Sequence, residues 1–393
     1  MEGKTSIIKQ DIDKRDLQEE LMNKTMKKLL CLTTAGVLGL SALAGCGSKK
    51  IDGTKPLLTG KEDTVTVGTG NLVLRMNQVQ MMSYMSMMGG GTAGMWEQKT
   101  EDGKTYGEQT KDSVLEQLKA MMLLKEHAAD YKVSVSDEEK KSIEEAVKKF
   151  MEANTKETIE KLSVQQSDIE QLLTLFTYQS KMYEPMTADV DTNVEDTEAA
   201  QSAITYCKVS TADKTNEDGT TTPLTDEEKN EKKAQAQSVL DKLLASDDPA
   251  MADVDTIAKE VDENLSALDT TFGAEDTLLD EKLMEAAKTL QDGQVYESVV
   301  EGENAYYVVR MDQVLDREAT DAQKEQIVNE RKQEAYQKLL DEWKEKAEIT
   351  VNEKEWKKVT LSDKDVYTLK QPETEETPEE ATEETENTEG TQE

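Results

Sequence analysis

The sequence predicts an α+β protein: a mainly helical domain carrying a small α/β insert and completed by a returning C-terminal helix. Three observations predict it. Apolar residues recur at three- and four-residue steps between Val114 and Met182, the pattern then turns strand-like near Ala203 to Ser210 and again after Val295, and helical spacing resumes from Ile327.

The helices come first. Val114, Leu115, Leu118, Met121, Met122 and Leu124 place an apolar stripe on one helix face. A second helix is capped near Ser136-Asp137 and turns Ile143, Val147, Phe150 and Met151 inward. A third runs from about Ser167 to Met182 on Ile169, Leu172, Leu173 and Phe176. Short polar turns between them make one helical domain. In the insert, Ala203 to Ser210 reads as a strand, and Thr211 to Thr225, with its Asn216-Glu217-Asp218-Gly219 cluster, as a loop. Helices follow near 226–245, 253–261 and 278–290. Val295 to Val300 and Ala305 to Leu315 then form a hairpin around Glu301-Gly302-Glu303-Asn304. Ile327, Arg331, Tyr336, Leu339, Leu340 and Trp343 trace a last amphipathic helix, too apolar on one face to stand alone and expected to pack on the N-terminal helices.

Composition narrows the function. The net charge of -36 excludes nucleic acid as a partner, because phosphate binding demands clustered Lys and Arg. Lys24, Lys27 and Lys28 precede an apolar run from Leu29 to Leu43 that is too short to span a bilayer, and Leu43-Ala44-Gly45-Cys46 ends it. That order resembles the lipobox of bacterial lipoproteins, which implies lipidation of Cys46, cleavage before it, and residence on the extracytoplasmic face of the cell membrane. The alternative is an ordinary secretory signal with an incidental cysteine. Acidic residues before Met22 fit a signal poorly, so translation is expected to start at Met22. With Cys46 lipidated, Cys207 stands alone; it is expected to be a small core hydrophobe, with no intrachain disulfide and no Cys/His metal site. Residues 46–60 read as a tether, and residues 366–393, rich in Glu, Thr and Pro, as a disordered acidic tail.

A family resemblance now rests on particular residues. Val114-Leu115-Glu116-Gln117-Leu118, Tyr131-Lys132-Val133, Ser136-Asp137-Glu138-Glu139 and Ile169-Glu170-Gln171-Leu172-Leu173 resemble the helical N-terminal region of the SurA/PrsA foldases. Ala258-Lys259-Glu260, Glu285-Ala286-Ala287 and Ala305-Tyr306-Tyr307-Val308-Val309-Arg310 resemble segments of a parvulin-type peptidyl-prolyl isomerase. The resemblance implies a helical domain over 61–195, a parvulin-like insert over 196–318 and a returning helix over 319–365. It implies a foldase whose partners are unfolded or newly secreted polypeptides, with no cofactor; a homodimer stays open. Parvulins use two facing histidines, a nearby Cys or Asp, and an apolar pocket for the proline ring. At the histidine positions this chain has Tyr206 and Tyr307, at the Cys/Asp position Asn264, and around the pocket Phe272, Leu279 and Leu283. The tyrosines form either a hydrogen-bonded pair across the pocket or a cross-strand aromatic contact. His127, the only histidine, is expected on a helix surface outside the insert.

One further segment bears on holding clients. Met76, Met81, Met82, Met85, Met87, Met88 and Met95, with Tyr84 and Trp96 and followed by Gly89-Gly90-Gly91, form either an adaptable binding lip or the buried side of a first helix. Copper binding would want His or Cys beside the thioethers. Two other functions compete with the foldase. A solute-binding lipoprotein needs two α/β lobes, and a structural surface stalk needs sustained heptads.

Overall fold

The computed structural model describes residues 51–89, 93–215 and 220–362, with the backbone alone of Leu40–Ala42 and Tyr367–Leu369. The lipobox, the acidic tail beyond Gln371, Gly90-Gly91 and the Asn216 to Gly219 cluster lie outside the described residues. The fold is α+β, and the chain divides into two compact units, one reaching to Ala188 and resuming at Tyr336, the other Asp189–Ala335.

In the first unit, β1 (Leu40–Ala42) pairs antiparallel with Tyr367–Leu369. Strands β2 (Pro56–Thr59) and β3 (Thr64–Thr66) pair antiparallel, and Thr350–Val351 joins the other edge of β2. Leu57 and Leu58 are almost wholly buried there. The expected tether therefore stops short of Pro56, because two adjacent leucines gain roughly 1.5–3 kcal/mol each by leaving water. Five helices follow: α1 (Val67–Met87), α2 (Tyr106–Glu126), α3 (Asp137–Ala153), α4 (Lys156–Leu162) and α5 (Gln166–Met186). Their starts are chemical. Thr66, Thr105, Ser136 and Thr155 accept a backbone N–H from the first turn, and Glu108 and Glu139 complete capping boxes.

The stripe read on α2 is buried throughout, against Leu72 and Leu74 of α1 and Leu172 and Leu175 of α5. Trp356, Val359 and Leu361, beyond the long C-terminal helix, enter the same core. Lys111 secures that segment by donating to the carbonyls of Trp356 and Val359. From Tyr336 on, the helix Arg317–Lys346 packs Leu340, Leu339 and Trp343 against Leu124, Ala128 and Met182, so the returning helix does cover the N-terminal helices.

The second unit opens with α6 (Asp196–Ala199) and holds a four-stranded antiparallel sheet of β4 (Ser202–Ser210), β7 (Ala267–Phe272), β8 (Val300–Glu301) and β9 (Ala305–Gln313) in the order β7-β4-β9-β8. A two-residue ladder, β5 (Lys214–Thr215) with β6 (Thr221–Thr222), stands in the stretch expected to be loop. Helices α7 (Asp226–Leu244) and α8 (Val254–Val261) cover one face of the sheet, α9 (Glu281–Ala287) the other. The first half of α10 (Arg317–Lys346) is tied to α6 through Arg317 and Lys324 to Asp196 and Arg331 to Glu198.

Three further sequence expectations change. Strand β7 is new: of Ala-Leu-Asp-Thr-Thr-Phe only Phe272 is fully buried, so alternation is faint. The expected strand 295–300 shrinks to β8 plus a single bridge from Val295 to Arg310. The expected helix 278–290 narrows to α9, because the Asp280 carboxylate caps the N–H groups of Lys282 and Leu283 and fixes the start.

Two outcomes follow from this packing. Gly53 and Gly68 lie so near Ser163 that a Cβ on either would come within 3.0 Å of its carbonyl oxygen, so Gly53→Ala should cost about 2 kcal/mol in urea unfolding. Burial pushes the Cys207 thiol up to about 11. The folded chain therefore keeps that proton after the unfolded chain has lost it, and the Cys207 contribution to stability falls as pH rises from about 9 to about 11. Peptide mapping after iodoacetamide at pH 8 should find Cys207 unmodified in the native chain and alkylated in urea.

Candidate functional site

Strand alternation assigns the side chains of the second unit to two faces. Ile204 and Tyr206 of β4, with Tyr307, Val309 and Met311 of β9, point toward α9. Cys207 and Val209, with Val308, point toward α7 and α8, which places Cys207 in that core, as expected of a small hydrophobe.

On the first face the expected pocket residues meet. Phe272 and Leu283 are almost wholly buried, Leu279 is half-buried beside them, and Tyr206 and Tyr307 lie over the same cluster. Tyr206 stands opposite Val309 and Tyr307 opposite Lys208, so the two tyrosines are diagonal neighbours across the ladder. Their ring centroids are 5.9 Å apart at 64°, an edge-to-face contact. Among the described residues no hydrogen bond joins the two hydroxyls, so the aromatic alternative describes the pair. Burial pushes both phenols above the ordinary tyrosine range, and the Asp280 carboxylate adds to the rise at Tyr307. They are neutral hydrogen-bonding groups near neutral pH, unsuited to accepting a proton.

Sequence reasoning missed three parts of this face. Tyr296 packs beside the tyrosines. Asp280 caps α9 with one oxygen and accepts the Glu303 N–H at 2.9 Å with the other, tying the helix start to the β8–β9 turn. Gly302 fits between the Asp280 carboxylate and the Tyr307 ring, where any Cβ would meet both at under 3.0 Å. The legible signals were an aspartate ahead of a helical run and a glycine in the hairpin turn.

Asn264 is not brought to this face. It sits exposed in the turn after α8, its N–H and Nδ2 donating to Asp262 Oδ1, while the next residue, Leu265, packs in the opposite core. The residue facing Tyr206 across the ladder is Leu268, half-exposed on β7.

The second face holds a polar cavity of about 380 Å³ lined by Thr205, Asp253, Asp255, Asp269, Arg310 and Asp312 among others. Arg310 donates to Asp312 Oδ1 and to the Ala252 carbonyl, both at 2.7 Å. The Thr205 hydroxyl lies 2.8 Å from Asp269 Oδ1 and 2.7 Å from Asp312 Oδ2. No sequence spacing announces this group, since only the strand register assembles it.

In the first unit, His127 ends α2, bonds Asp130 and stacks on Trp343 at 4.1 Å, so it is a packing residue more than a plain surface one. The methionine segment divides. Met76, Met81, Met82 and Met85 pack on the core and Met95 and Trp96 are buried, whereas Met87 and Met88 are exposed at the tip of α1.

Removing a ring should matter far more than removing a hydroxyl. Tyr307→Ala should lose about 3 kcal/mol in chemical unfolding and Tyr307→Phe less than about 1 kcal/mol, because the packing lies in the ring.

Comparison with protein-family models gave no match, and neither did comparison with curated proteins. Among solved structures, the chain is similar to a peptidylprolyl isomerase (PrsA) from Bacillus cereus, 19% identical over 66% of this chain and 95% of that one, with a TM-score of 0.29. It is also similar to the foldase protein PrsA from Streptococcus pneumoniae, 14% identical over 77% and 97% of the two chains with a TM-score of 0.28, and to PrsA from Bacillus subtilis, 19% identical over 75% and 93% with a TM-score of 0.21. These three structures are PrsA foldases, distant in sequence and loose in superposition.

Proposed function

We propose that this chain is a membrane-anchored extracytoplasmic foldase, held by lipid on Cys46, that binds unfolded or newly secreted polypeptides and has little or no prolyl isomerase activity. The observation that carries the reading is the apolar face of the insert, where Phe272, Leu279 and Leu283 cluster under two packed tyrosines and would seat an apolar side chain if the cluster opened. Rotating an X-Pro bond means crossing a barrier of about 18–20 kcal/mol, and a site helps by burying the ring and polarising the twisted amide. The apolar seat supplies the first. For the second this face offers neutral phenols where parvulins have histidines, and Asp280 is already occupied by three N–H groups. Binding survives this chemistry better than catalysis does. The helical unit adds holding surface at the exposed tip of α1.

The mature chain should slow aggregation of a reduced, unfolded secretory protein while leaving cis-to-trans relaxation of a proline tetrapeptide at its uncatalysed rate. Acceleration that disappears in Tyr206→Ala would restore the enzyme, and failure to delay aggregation of any client would remove the foldase. In cells given labelled palmitate, the chain should carry label and Cys46→Ser should not.

A further inference from the structure

Among the described residues no strand pairs with the outer side of β7 in the second unit, and the chemistry of that edge is directional. In an antiparallel ladder each residue points its N–H and C=O to one side, and successive residues alternate. Thr211 N–H bonds the Asn304 carbonyl at 2.9 Å, which sets the odd-numbered residues of β4 toward β9 and leaves Ile204 and Tyr206 to bond β7. Their partners on β7 are Thr270 and Leu268. Asp269 and Thr271 therefore aim their backbone groups away from the sheet. Ala267 has the same parity, and its N–H is taken by Asp255 Oδ1 at 3.0 Å instead of by β4.

The two faces of this edge differ. Asp269 borders the polar cavity with Asp253, Asp255 and Asp312, four carboxylates against one lining cation, Arg310, already bound to Asp312 and to the Ala252 carbonyl. Lys259, from α8, pairs with Asp255 outside that lining. Hydrogen bonds hold Asp253 and Asp255 below the usual carboxylate range, from Thr256 and Lys259 respectively, so both stay ionised at neutral pH. On the other face Leu268 is 49% exposed beside Tyr206.

We infer that the open edge of β7 docks an extended polypeptide segment carrying a lysine or arginine between apolar residues, which adds as a fifth strand. A residue laid opposite Asp269 shares its face and delivers a cation to the carboxylates, while its two neighbours turn to the other face and cover Leu268. Backbone bonds to Asp269 and Thr271 give affinity without sequence, and the acidic cavity selects the basic position. This deepens the proposed foldase function and rests on it only for the identity of the occupant as client chain.

The test is fluorescence anisotropy of the full chain with a labelled peptide Thr-Val-Thr-Val-Lys-Val-Thr-Val. The peptide should bind, and exchanging its Lys for Glu should weaken binding about tenfold or more. Thr271→Pro removes only an outward N–H and should abolish binding with an unchanged circular dichroism spectrum and Tm, and Asp269→Asn should weaken it about fivefold. Equal binding of the Lys and Glu peptides, or undiminished binding by folded Thr271→Pro, overturns the inference. So does a wild-type dimer that Thr271→Pro turns to monomer, since the edge would then belong to a second copy. A chain that binds the peptide through this edge yet never delays aggregation upholds the docking site and removes the foldase. One that delays aggregation without discriminating between the peptides removes the docking site alone.

Discussion

The ladder between β4 and β9 is the constraint on which the second unit depends. It runs from Ala203 paired with Gln313 to Ser210 paired with Ala305, and its register decides which side chains share a face. A one-residue slip of β4 would carry Tyr206 to the face packed by α7 and α8 and Thr205 to the face packed by α9, breaking the aromatic pair. Both faces are packed, by α9 on one side and α7 and α8 on the other, so such a slip would be costly twice over. The aromatic pocket and the acidic cavity are thus the two sides of a single register.

Tyrosine at both pocket positions changes what the face can do. A histidine near its unperturbed pKa of about 6.5 trades protons and charge at physiological pH, whereas a phenol raised by burial stays neutral. What remains is shape and apolar area. The edge-to-face contact fills the space between the two rings, and Gly302 lets the hairpin turn approach Tyr307 closely enough for Asp280 to tie it down. The face is apolar and closely packed, with the Asp280 carboxylate at its margin.

In the first unit, stability comes from well-capped helices around one apolar core, with the C-terminal segment contributing Trp356, Val359 and Leu361 from far along the chain. Buried polar groups are woven through it. Asp168 accepts from the Thr66 hydroxyl and the Gln165 N–H, both at 2.7 Å, linking the caps of α1 and α5. Arg75 reaches Asn71, Gln78 and the Thr360 carbonyl. Such networks fix one arrangement of helices, since a slipped helix would strand several of these groups at once.

The sequence by itself determined the class of fold, three helices of the first unit with the Ser136 cap, and the strands β4 and β9, because each is written in local periodicity or in that capping residue. The family resemblance also named Phe272, Leu279, Leu283 and the two tyrosines, which share one cluster. Tertiary structure decided the rest. The edge strand β7 is half solvated and carries almost no period, and the first helix carries apolar residues without a clean stripe. Asn264 was misplaced because a turn residue three positions beyond a helix end follows the loop's own hydrogen bonds and not the strand's parity. The acidic cavity draws on positions near 205, 253, 269 and 310, and only the hydrogen-bond register of a folded sheet places those side by side.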